Sequence, residues 1–210
     1  MRKNEKVSFY THFGGFVLAV IGTIILVFVT WGSLDRFLVS LIYGLSISFL
    51  FLSSSLYHAF KKREGEVSIW RRLDHFAIFV MIAGTYTPIS YIYLEGIWSW
   101  SIIITQWTLV IAGFFFKFFA LSTPRFLYTL IYLVMGWVGI VSVGTLFPAM
   151  SPAAISFLIL GGLSFTTGAV FYMLKKPVFS PRFGFHEIFH IFILLGGIFH
   201  FFLVLTAVCS

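Results

Sequence analysis

The sequence predicts an all-α integral membrane protein with seven transmembrane helices, as one unit over residues 1–210. Three observations predict it. Hydrophobic residues make up 60% of the chain and charged residues only 10%, a balance foreign to soluble domains. The apolar residues gather into seven runs of roughly 20 residues, the length a helix needs to cross a hydrocarbon core of about 30 Å. Short polar breaks separate them, and the basic residues concentrate in alternate breaks. Within lipid a helix satisfies its own backbone hydrogen bonds. Barrel strands would be about half as long and would alternate in polarity.

The first run, 10–31, follows Arg2, Lys3 and Lys6, and shows no small-residue cleavage site of a signal peptide. The second, 37–57, leads through a serine cluster to His58; Lys61, Lys62, Arg63, Arg71 and Arg72 fill the next loop. The third, 75–94, opens at Asp74 and His75 and contains Pro88, a residue that can kink a helix. The fourth, 97–116, is followed by Lys117 and Arg125, and the fifth is 126–147. The sixth, 152–174, carries Gly161 and Gly162, and Lys175, Lys176 and Arg182 follow it. The seventh, 185–208, carries Gly196 and Gly197. Such glycines permit close helix contact. With this count, 13 of the 14 basic residues fall on one side and only Arg36 on the other. Basic loops stay in the cytoplasm, so a cytoplasmic N-terminus and an external C-terminus are expected. Trp31, Tyr91, Tyr93, Trp98 and Trp100 fall near the external ends, as an interfacial belt would. The net charge of +7 is then a topology signal, with some attraction for anionic lipid heads. No nucleic-acid partner is expected, because the cations are scattered over short loops. Cys209 is the only cysteine, which excludes an intrachain disulfide.

Ionisable residues at span edges mark candidate sites. His58 ends the second run, Asp74 and His75 open the third, and His186, Glu187 and His190 open the seventh. The charge pattern puts all three ends on the same side, so these groups share a depth. His12 starts the first run on that side too, whereas His200 stands about 15 Å deeper than His190. His186 and His190 are four residues apart and share a helix face, a spacing that can grip one ion. His58 is then the most economical third ligand, with water or Asp74 completing the set around Zn2+. Ser54, one turn before His58, can hydrogen-bond around it. For His12, His75 and His200 taken singly, an interhelical hydrogen bond or a headgroup contact is the expected role.

The segment "FHEIFH" also contains the H-E-x-x-H of soluble metalloproteases, in which the glutamate poises a water. Nothing else of that kind accompanies it. Glu187 is read in preference as a carboxylate at headgroup level, favoured by the dipole of a helix N-terminus.

"SSSLYH" (53–58), "RRLDHFAIFVMIAGTYTP" (71–88) and "HEIFHIFILLGGIFHF" (186–201) together resemble the hemolysin III branch of the progestin and adipoQ receptor family. The likeness runs over nearly the whole chain. It implies seven helices, zinc held by His58, His186 and His190, and an acidic residue at Asp74 near the zinc water. Glu187 is then incidental to the metal, which removes the protease reading. The family's N-terminal pattern is E-x-x-N-x-x-x-H; Glu5 and His12 match it, but Ser8 stands where asparagine belongs.

The function expected is zinc-dependent hydrolysis of a lipid amide, ceramidase-like, near the cytoplasmic leaflet of a bacterial plasma membrane. Membrane lipids are the partners. The alternative is a non-enzymatic membrane-homeostasis or cytolytic protein with a structural zinc.

Overall fold

The computed structural model describes residue 2 and residues 5–63, 65–119, 124–180 and 183–210. Lys3 and Arg182, used in the charge count, lie outside the described residues. The helices are α1 (Lys6–Val29), α2 (Leu34–Phe60), α3 (Ile69–Tyr93), α4 (Gly96–Phe119), α5 (Arg125–Trp137), α6 (Val143–Ala149), α7 (Pro152–Leu174) and α8 (Phe185–Val208). A 3₁₀ segment, Val138–Ser142, joins α5 to α6 within one span. Among the described residues seven spans are long and apolar enough to cross a membrane.

Several helices outrun their apolar segments, because backbone hydrogen bonding continues where side chains turn polar. α3 begins at Ile69, where the Ser68 hydroxyl accepts from the Arg71 backbone N–H at 3.3 Å. Asp74 and His75 therefore sit in its second turn rather than at its mouth. α7 starts at Pro152, with the Ser151 hydroxyl capping the Ala154 N–H at 3.2 Å. Ahead of α8, Val178–Ser180 and Phe183–Gly184 form a small antiparallel ribbon.

The fifth span departs from the unbroken helix expected over 126–147. The cause is two side chains inserted into its hydrogen-bond ladder. Tyr86 of α3 donates its hydroxyl to the Gly136 carbonyl at 2.7 Å and accepts the Gly139 N–H at 2.8 Å. Gln106 of α4 donates to the Met135 carbonyl at 3.0 Å, the acceptor Gly139 would use in a regular α-helix. Backbone groups freed at membrane depth are thus satisfied by neighbouring helices.

α8 packs against α7, α1, α3 and α2, so it runs through the middle of the bundle. Its face carrying Leu203, Val204 and Ala207 is fully buried in the core shared with Leu26, Tyr43, Phe51 and Ala77. The outer surface is apolar, with Phe28, Ile24 and Ile97 exposed as lipid requires. Small residues set the helix contacts: a Cβ at Gly196 would strike the Phe165 ring, and one at Gly161 the His200 ring. Gly162 does not share that role; nothing faces it within 4 Å, and it lines a cavity. That cavity, of about 550 Å³, lies between α3, α5, α7 and α8 and reaches from the basic end of the bundle towards its interior.

Candidate metal centre

The last turn of α2 and the first two turns of α8 meet beside the first turn of α1. His58, 1% exposed, comes from α2; His186 and His190 come from α8, the latter 2% exposed. One ring nitrogen from each lies within 4.8 Å of the others, a group that could hold a metal ion. Spacing on α8 places its two rings one turn apart, with centroids 4.6 Å from one another.

The tautomers favour a cation between them. Glu5 precedes α1 and accepts from His58 Nδ1 at 2.6 Å, while Lys61 Nζ donates to its other oxygen at 2.7 Å. Burial pushes the Glu5 carboxyl up; hydrogen bonds from His58 and Lys61 outweigh that and bring it down to about 2. An ionised Glu5 holds the proton on His58 Nδ1, leaving the Nε2 lone pair free. That Nε2 faces His186 Nε2 at 3.4 Å. Ligand nitrogens about 2.0–2.1 Å from a tetrahedral zinc stand about 3.3–3.4 Å apart, so the separation fits. His190 Nδ1 has no hydrogen-bond partner, and one nitrogen of its ring lies within reach of the other two histidines. The donor set therefore fits a divalent, nitrogen-seeking ion.

Asp74 lines the same cavity but stands outside the histidine group. Its Oδ2 lies 3.3 Å from His75 Nδ1, and the Ser54 hydroxyl is within electrostatic reach of its carboxylate. Ser54 is 3% exposed and also lines the cavity. Its companion here is Asp74. Glu187 is buried rather than lying among headgroups. One oxygen accepts the Gly184 N–H at 2.9 Å, capping α8, and the other accepts from Ser8 Oγ at 3.1 Å. Ser8 thus makes the polar link between α1 and α8 from the position where asparagine was expected.

The sequence pattern assigns Glu5 no chemical role and His12 only an interhelical or headgroup one. The His12 ring, buried, stacks on His190 with centroids 3.7 Å apart. Neither of its nitrogens makes a hydrogen bond, though the His190 carbonyl is in reach. The signal was available: Glu5, Ser8 and His12 fall three and four residues apart, one polar face at the start of an otherwise apolar segment.

The sequence pattern that defines the family described as "Haemolysin-III related" matches residues 1–201. The chain belongs to that family. It is 36% identical to the hemolysin-3 homolog of Bacillus subtilis (strain 168) over 205 residues, 97% of this chain and 93% of that one. It is 35% identical to hemolysin-3 of Bacillus cereus over 205 residues, 97% and 91% of the two chains. Seven apolar spans and membership of the haemolysin-III-related family make it an integral protein of the bacterial plasma membrane.

Proposed function

We propose that this chain is a zinc-dependent hydrolase of a lipid amide, as in ceramide, with its centre at the cytoplasmic end of the bundle. The observation that carries the reading is a set of three converging imidazoles with a separate carboxylate beside it, at the head of a largely apolar cavity. Its size, about 550 Å³, falls in the range of small-molecule and lipid sites. The basic loops at the same end support a cytoplasmic placement.

When bound, zinc supplies Lewis acidity that polarises a carbonyl and acidifies water at neutral pH. His58, His186 and His190 would hold it, with Glu5 fixing the His58 ring. Asp74 would accept the proton of the attacking water and return it to the leaving amine, with Ser54 and His75 orienting its carboxylate. The products are a fatty acid and an amine. The cavity walls would hold the chain and keep bulk water away from it.

A metal that only clamps α2 to α8 is the second reading, favoured because its ligands come from those two helices. Three samples separate the two: wild type, His190→Ala and Asp74→Asn, purified without chelators and assayed for zinc and for hydrolysis of ceramide. The hydrolase reading expects about one zinc per wild-type chain, little in His190→Ala, and a full complement in an inactive Asp74→Asn. A zinc-free wild type after metal addition would sink both readings. Zinc in all but His190→Ala, with no turnover of any lipid amide, would leave the clamp.

A further inference from the structure

Gly162 of α7 stands in the middle of one cavity wall and leaves it bare. Leu158, Gly162, Phe165, Ala169 and Tyr172 fall three or four residues apart and all line the cavity, so one stripe of α7 follows it. Ile159 and Thr166, to one side of that stripe, line it too. Gly162 is therefore near the centre of the lining face, and a Cβ built on it meets nothing within 4 Å. Its neighbour Gly161 is the opposite case, since the His200 ring fills the space a side chain would need. On the wall formed by α5, Gly136 also lines the cavity with nothing within 4 Å of a Cβ. The two glycines lie within about a turn of one another in depth, because the Trp137 indole donates to the Thr166 hydroxyl at 3.2 Å.

Inside a helix glycine is less favourable than alanine, and a glycine that touches no neighbouring helix gains nothing in packing to offset this. What it leaves is room. The Tyr172 ring stands 5.9 Å from the His186 ring, at the level of the metal centre. Gly162 is ten residues further along α7, about 15 Å deeper. Beyond it the cavity continues between the apolar side chains of Leu158, Ile159, Leu203 and Leu146. An extended alkyl chain advances about 1.2 Å per carbon, so from a head at the centre it passes Gly162 near its twelfth carbon.

We infer that Gly162 sets the length of lipid chain that the cavity accepts, keeping it open to chains longer than about twelve carbons. The inference rests on the hydrolase reading for the position of the lipid head.

The test is competition of fatty acids, the expected product class, against labelled dodecanoic acid on the purified, zinc-loaded protein. The competitors are octanoic, dodecanoic, hexadecanoic and octadecanoic acids. Each methylene that enters an apolar site adds about threefold in affinity, so the wild type should keep gaining beyond dodecanoic acid. Gly162→Leu should keep its zinc and its affinity for dodecanoic acid, yet bind octadecanoic acid at least about tenfold more weakly than the wild type. Gly162→Ala meets nothing within 4 Å and favours the helix, so it guards against a leucine variant that fails to fold. It should lose about threefold for octadecanoic acid alone. A wild type that gains nothing beyond dodecanoic acid, or no binding of any acid, would overturn the inference. So would an unchanged length profile in Gly162→Leu, or in Gly162→Ala should the leucine variant not fold. The expected profiles in a protein that hydrolyses no lipid amide would overturn the hydrolase reading instead, and leave Gly162 in its role.

Discussion

Because Glu5 accepts the hydrogen bond of His58 Nδ1 at 2.6 Å, a side chain that touches no metal decides which nitrogen the centre receives. Glu5→Gln removes the charge but keeps the size, and the amide can turn its NH₂ towards His58. Zinc affinity should fall roughly 10- to 100-fold, read by competition with a chromogenic chelator, while helix content by circular dichroism stays the same. Unchanged affinity would show that the contact does not govern the ligand. Ser8 illustrates how far single residues could be read from the sequence. Its departure from the family pattern was visible, but its bond to Glu187 joins residues 179 positions apart and no local pattern encodes that. His58, His186 and His190 were legible as a group, with Asp74 on the same cavity beside them, because a shared depth follows from the charge pattern of the loops. The 3.4 Å approach of two Nε2 atoms was not, since it depends on ring rotation and on the proton kept on His58 Nδ1 by its bond to Glu5.

Among the helices, the fifth span shows where pattern reading stops. Its length and apolarity identify a membrane crossing, and the limits of α7 and α8 match the expected runs at both ends. The break at Val138–Ser142 left no mark in hydrophobicity. Gly136 and Gly139 permit it, but Tyr86 and Gln106 on other spans impose it. Tyr86→Phe leaves the Gly139 N–H without its acceptor and the Gly136 carbonyl without its donor. Such losses cost about 1–3 kcal/mol each when buried. Thermal unfolding in detergent should show a clear drop in midpoint for Tyr86→Phe. If the midpoint does not move, the span either re-forms a regular helix or finds other partners.

For the whole molecule, an odd number of crossings puts the two ends of the chain on opposite faces. Cys209 is exposed beyond α8 and is the only cysteine, which makes it a ready reporter. A membrane-impermeant maleimide should label it on intact cells if the basic end is cytoplasmic. Labelling only after the membrane is opened would reverse the orientation and move the proposed centre to the outer leaflet. The long reach of the centre also bears on how the protein is made. His58 and His186 are 128 residues apart, and the last span brings two of the three nitrogens. A nascent chain with six spans inserted carries Glu5, His12 and His58 but no place for an ion. The three-histidine group is therefore complete only once the last span has been inserted and packed against the second.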